Sequence, residues 1–195
     1  LISSSNAILV FSLIVLSVLS VLEFINLTNK IIKNKFYSLI SNLFFVVYIF
    51  IFCLFFFYFS NFVHLKVILY SLLLCCVASD IGGFVFGKTF KGPKITKISP
   101  NKTYAGSLGS IIFSMVVFSG LMISFTNNFN YMILIIAIIT SIACQFGDLF
   151  FSFLKRKAKI KDTGNFLPGH GGILDRLDGI YLGIPIGFIS LTIFY

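Results

Sequence analysis

The sequence predicts an all-α, polytopic integral membrane protein with about six transmembrane helices, and three observations lead there. The 195 residues are 58% hydrophobic and only 11% charged, whereas a soluble domain carries roughly a quarter charged residues. Apolar runs near the length of a bilayer crossing, about 20 residues, recur six times along the chain. The basic residues, which give a net charge of +9, collect between alternate runs. This composition excludes a disordered chain, a coiled coil, a disulfide scaffold and an ordinary soluble enzyme. A nucleic-acid binder would need its basic residues on a hydrated domain, and none is visible.

The runs cover residues 7–27, 36–59, 62–79, 105–125, 129–147 and 177–195. The first is interrupted only by Glu23 near its end, which reads as a helix-end charge reaching toward an interface. It has neither a basic leader nor a small-residue cleavage site, so it is expected to be an anchor rather than a signal peptide. The four cysteines, Cys53, Cys75, Cys76 and Cys144, lie inside apolar runs without metal-binding spacing and are expected to be small core hydrophobes. There is no internal repeat or flexible linker, so a single domain over residues 1–195 is expected.

The breaks between runs differ in charge. Lys30, Lys33 and Lys35 fall in the first; Lys88, Lys91, Lys94, Lys97 and Lys102 in the third; Lys155, Arg156, Lys157, Lys159, Lys161 and Arg176 in the fifth. The second and fourth breaks are short and uncharged, and Lys66, just inside the third run, is the one remaining basic residue. Alternation of basic and neutral loops places the basic ones in the cytoplasm and the N-terminus outside. The richness in Ile, Phe, Lys and Asn suggests a bacterial genome, hence the bacterial inner membrane with the long loops facing the cytoplasm.

Five of the six acids, Asp80, Asp148, Asp162, Asp175 and Asp178, lie at cytoplasmic run ends or in the two long loops. Ionisable groups at such depths tend to be functional. The densest stretch, residues 145–179, has the parts of a phosphate and metal site. Asp175 and Asp178 are three apart and share a face on a helix, and Asp148 could meet them across a helix pair. Carboxylates without Cys or His partners suit Mg²⁺ rather than zinc. The run Pro168-Gly169-His170-Gly171-Gly172 offers bare backbone before a helix start, where phosphate can approach. Lys155, Arg156 and Lys161 supply cations for a polyphosphate. Plainer accounts stand beside these: a positive-inside cluster for the 155–161 run, and a helix cap with a surface salt bridge for Asp175, Arg176 and Asp178. Residues 82–89, GGFVFGKT, match the phosphate-binding loop pattern GxxxxGK[ST] letter for letter. That loop needs a preceding buried strand, and an apolar span precedes it here, so the match is expected to be accidental.

The 145–179 stretch resembles the signature of the phosphatidate cytidylyltransferases (CDP-diacylglycerol synthases), approximately S-x-x-K-R, K-D-x-G-x-x-x-P-G-H-G-G and D-R-x-D. Ser152, Lys155, Arg156, Lys161, Asp162, Gly164, Pro168, Gly169, His170, Gly171, Gly172, Asp175, Arg176 and Asp178 fit it in register. Upstream, Asp80-Ile81-Gly82-Gly83-Phe84 is similar to the family's D-x-G-A-Y, and Ser99-Pro100-Asn101-Lys102-Thr103 to its S-P-x-K-T. The resemblance covers roughly residues 75–190.

The resemblance implies transfer of a cytidylyl group from CTP to phosphatidate at the cytoplasmic face, in a homodimer that requires a divalent cation such as Mg²⁺ beside a monovalent one such as K⁺. It implies metal on Asp148 and Asp175, with Asp178 as a further ligand. Lys102, Lys155, Arg156 and Lys161 would neutralise phosphates, and Ser99, Thr103, Ser152 and His170 would orient oxygens. Asp162, Gly171, Gly172 and Arg176 would complete the substrate contacts, with Asp148, Lys155, Asp175 and Asp178 as the catalytic set. The chain departs from the pattern at Phe151, where the family has Glu, and at Asn101, Tyr104 and Ala105. Beside typical members it reads as short, with N-terminal spans expected to be missing. Two alternatives remain: a related CTP-using lipid enzyme (a polyprenol kinase or an archaeol-type cytidylyltransferase), and a small ion transporter, which would carry acids at mid-depth on several spans.

Overall fold

In the computed structural model, residues 2–96, 99, 102–164 and 171–194 are described, with side chains from residue 7 onward. The described chain is helical throughout: α1 (Ile2–Ile31), α2 (Lys35–Ser60), α3 (Val63–Phe90), α4 (Tyr104–Thr126), α5 (Met132–Lys157) and α6 (Leu174–Phe194). All six helices are long and apolar enough to cross a membrane. Each expected span is therefore present, but the third and fifth run about ten residues past the C-terminal ends that hydropathy suggested. The third continues through Asp80 to Phe90, and the fifth continues through Asp148 to Lys157, so residues expected in loops are helical. Backbone hydrogen bonding continues a helix past the point where its side chains leave lipid. Residues 82–89 lie inside α3, which rules out the phosphate-binding loop.

By internal packing the chain divides into two compact units, one of Leu1–Phe62 with Leu154–Leu177 and one of Val63–Phe153 with Asp178–Tyr195. In the first, α1 and α2 form an antiparallel hairpin. Asn34 caps α2, its side chain accepting from Phe36 N at 3.0 Å. The rings of Phe24 and Phe45 stack with centroids 3.9 Å apart. Polar bonds between the helices supplement the packing: Thr28 Oγ1 donates to Asn42 Oδ1 at 2.6 Å and Ser38 Oγ to Asn29 Oδ1 at 2.9 Å. Between apolar helices in lipid, such bonds contribute on the order of 0.6 kcal/mol each, so close packing carries most of the association.

The second unit packs through small residues. A Cβ on Gly82 would collide with the Gly109 carbonyl and lie 2.7 Å from Phe113 Cβ, and one on Gly106 would lie 2.8 Å from Gly83 O. The glycines that imitate a phosphate-binding loop thus serve the α3–α4 contact. Ser79 and Ser141 share a hydrogen bond of 2.9 Å between α3 and α5. Where α5 meets α6, Gly147 lies against the Asp178 carbonyl and Gly179 against Cys144. Leu69, Leu72, Cys75, Cys76, Phe118, Ile133, Cys144 and Ile184 are buried at its centre. Three cysteines are core residues as expected. Cys53 is half-buried and bonds Ser17 at 2.8 Å.

Candidate functional site

In the Val63–Phe153 unit, α3 ends where Lys91 and Gly92 both take positive φ, 49° and 120°, a turn in which only glycine is unstrained at the second position. Pro93 follows. An isolated antiparallel bridge between Lys94 and Thr103 closes the loop back on itself, and Ile95 N donates to Lys102 O at 3.0 Å. This delivers Lys102 to Asp148 on α5, with which it forms a close ion pair. Asp148 Oδ1 also accepts from Ser152 Oγ one turn on, at 3.3 Å. Asp80, on α3, interacts electrostatically with both Asp148 and Lys102, so two carboxylates share one lysine.

Asp178, on α6, is buried and accepts from Gly179 N at 2.8 Å. Thr103 caps α4, its oxygen accepting from Gly106 N at 3.1 Å. The Ser99 carbonyl accepts from Lys102 N at 3.1 Å. Phe151, in the place of the family's Glu, is buried and packs edge-to-face on Phe150.

The Leu154–Leu177 segment carries a second set. Lys155 Nζ donates to Asp175 Oδ1 at 2.7 Å, with side chains 12% and 10% exposed. The other Asp175 oxygen accepts the amides of Thr163 at 2.9 Å and Gly172 at 3.0 Å. Gly171 has φ +84° and sits between two carboxylates: a Cβ there would lie 3.1 Å from Asp175 Oδ2 and 3.5 Å from Asp162 Oδ1. Arg156, Lys161, Asp162 and Arg176 are exposed, and Arg156 reaches the Ile160 carbonyl at 3.4 Å. His170, with Pro168 and Gly169 before it, lies outside the described residues, as do Pro100 and Asn101.

Two residues are placed by the structure beside these sets though their sequence positions gave them no such role. Asp80 stands in sequence among the five clustered acids and at the head of a motif, but with no role of its own. Glu23 was taken for a snorkelling charge, yet it is 7% exposed and bonded to the loop before α6. Its signal was being the sole acid within a long apolar run.

Among the described residues, no group of three or more His, Cys, Asp or Glu side chains gathers at metal-ligating range. The Asp80–Asp148 pair nonetheless fits a hard divalent cation. Its donors are oxygens, one lysine faces two carboxylates, and Mg²⁺ is commonly held by one or two carboxylates with substrate phosphates completing the shell. Asp175 fits less directly, since both its oxygens already accept from protein donors and Lys155 would have to give way.

Six helices long and apolar enough to cross a membrane, with carboxylates paired to lysines at or beyond their ends, define a multi-pass membrane protein. The chain belongs to the cytidylyltransferase family, whose profile it matches over residues 2–194. It is 41% identical over 123 residues to a phosphatidate cytidylyltransferase of Helicobacter pylori, a stretch covering 63% of this chain and 46% of that protein. It is 43% identical over 131 residues to a phosphatidate cytidylyltransferase of Rickettsia bellii, covering 62% of this chain and 56% of that one. The Mycobacterium leprae phosphatidate cytidylyltransferase is 34% identical over 125 residues, covering 64% and 40%. The chain thus spans about half the length of the curated relatives it matches.

Proposed function

We propose that this chain transfers a cytidylyl group from CTP to phosphatidate, forming CDP-diacylglycerol and pyrophosphate. It would do so as a multi-pass, homodimeric protein of the bacterial inner membrane with its reacting groups at the cytoplasmic face. The observation that carries the reading is the Lys155–Asp175 pair within the K-R to D-R-x-D stretch. It is a nearly buried cation held by a carboxylate that also binds the Thr163 and Gly172 amides.

The reaction needs little acid–base help. Phosphatidate presents a phosphomonoester whose second ionisation, near pH 6, leaves it largely dianionic at neutral pH. One of its oxygens attacks the α-phosphorus of CTP; that P–O bond forms, the α–β bridging P–O bond breaks, and pyrophosphate leaves with the electron pair. The difficulty is repulsion between two polyanions, and holding them together is the task of the protein. Lys102 and Lys155, compensated by Asp148 and Asp175 until substrate arrives, would turn to phosphate oxygens. Arg156, Lys161 and Arg176, exposed to solvent, would draw the anions in.

Asp148 with Asp80 would hold a divalent cation such as Mg²⁺. Asp178 would back that pair, and a cation on Asp175 would require that carboxylate to release Lys155. When bound, such a cation supplies charge stabilisation at the α-phosphate and the departing pyrophosphate, with a monovalent cation such as K⁺ as its companion.

The test is an assay in detergent micelles with labelled CTP, phosphatidate and Mg²⁺, with Asp175→Asn as blank. Labelled lipid together with released pyrophosphate is expected. A folded protein that labels no lipid from phosphatidate would overturn the reading.

A further inference from the structure

We infer that Glu23 is a positioning residue for the loop and helix start that carry Asp175, and so for the Lys155–Asp175 pair. The inference rests on the cytidylyltransferase reading for its effect on turnover. Its structural basis is independent of that reading.

The side chain comes from the C-terminal half of α1 and is 7% exposed. Its Oε1 accepts from Ile173 N at 3.0 Å; its Oε2 accepts from Leu174 N at 2.9 Å and from Thr163 Oγ1 at 2.6 Å. Every donor belongs to a segment at least 140 residues away in sequence. Among the described residues Glu23 makes no ion pair; beside the Thr163 hydroxyl, its partners are the amides of Ile173, just before α6, and Leu174, its first residue, which lack intrahelical acceptors. The N-terminal end of the helix dipole favours a carboxylate there. Glu23 thus caps α6 from another helix.

Two glycines of the loop are shaped by this contact. A Cβ on Gly164 would lie 2.6 Å from Glu23 Oε1, and one on Gly172 would collide with Glu23 Oε2 and Thr163 Oγ1. The space beside Gly172, which the sequence suggested was kept open for a phosphate, is filled by Glu23. Thr163 links the two carboxylates, with its hydroxyl on Glu23 and its amide on Asp175. Gly172 likewise gives its amide to Asp175 while its Cα faces Glu23. Removing the Glu23 charge would loosen the peptide that orients Asp175, and Asp175 in turn orients Lys155.

Glutamine is the informative replacement. Amides donate to both Glu23 oxygens, so an NH₂ at either position would face a donor, leaving an N–H unsatisfied. The experiment combines kinetics with hydrogen exchange on purified Glu23→Gln, Thr163→Val and Thr163→Ser. For Glu23→Gln we expect kcat/KM per folded molecule to fall about tenfold or more, and exchange at Ile173 and Leu174 to quicken by a similar factor. Thr163→Val should follow in the same direction, and Thr163→Ser, which restores the hydroxyl, should regain wild-type behaviour.

Wild-type kcat/KM per folded molecule with unchanged exchange in Glu23→Gln would overturn the inference. So would activity lost only in proportion to folded protein. If Glu23→Gln fails to insert, Thr163→Val against Thr163→Ser decides by the same two readouts. If the wild type itself turns over no CTP with phosphatidate, the functional reading falls. The exchange measurement then decides alone, with unchanged protection at Ile173 and Leu174 counting against Glu23.

Discussion

Lys155 Nζ lies 2.7 Å from Asp175 Oδ1, and the opposite oxygen of that carboxylate holds the amides of Thr163 and Gly172. Asp175 is therefore at once a counter-charge and a clasp on the loop before α6. Asp175→Asn should retain membrane insertion but lower kcat/KM by about 100-fold or more, because charge stabilisation of a phosphoryl transition state is lost. Weakening its charge-assisted bonds should also cost about 1–3 kcal/mol of stability. Thermal unfolding in detergent beside the lipid-labelling assay separates the two effects. Lys155→Ala should instead raise the KM for CTP or phosphatidate, and unchanged kinetics would reduce Lys155 to a topological charge.

The ion pair of Lys102 with Asp148 brings the α3–α4 loop to α5. A purely structural pair would tolerate exchange of its partners. We expect Lys102→Asp and Asp148→Lys each to abolish turnover. The doubly exchanged protein should regain thermal stability while its kcat stays about 100-fold or more below wild type. Recovery of turnover would show that only the attraction between the two side chains matters.

The spans were legible in the sequence because hydropathy reports contact with lipid, and all six runs became helices. Their polar ends were not. Asp80 to Lys88 and Asp148 to Arg156 read as loop because they leave the apolar phase, but their helices run on to Phe90 and Lys157. The signature residues were legible as a set, while their partners were not. Nothing in the spacing of Lys155 and Asp175 says that the pair closes on Thr163. Nothing near Glu23 in sequence points to amides some 150 residues downstream. Gly82 and Gly83 gave a clear pattern with the wrong meaning, since close helix packing and phosphate binding both select residues without a side chain.

That packing can be tested directly. Gly82→Ala would push a methyl group into the Gly109 carbonyl, an overpacking expected to cost about 1–3 kcal/mol. At Gly120, also within α4, a Cβ meets nothing within 4 Å. Gly120→Ala should be neutral or stabilising by up to about 1 kcal/mol, because alanine loses less backbone entropy in a helix. Thermal unfolding of both variants in one detergent should move the midpoints in opposite directions or leave the second unchanged. Equal destabilisation would mean that α3 and α4 do not depend on the glycine contact.

Orientation in the membrane follows from where the lysines and arginines fall. The turn after α4 carries Asn127, Asn128 and Asn130 without a basic residue, whereas α5 ends on Lys155, Arg156 and Lys157. The positive-inside bias therefore predicts Asn128 outside and Lys157 in the cytoplasm. Both positions are exposed to a labelling reagent, while Cys75, Cys76 and Cys144 are buried. In spheroplasts, a membrane-impermeant maleimide should modify Asn128→Cys at once and Lys157→Cys only after the membrane is opened, with the wild type giving the background from Cys53. The reverse pattern would invert the topology and move the Lys155–Asp175 pair to the face without CTP.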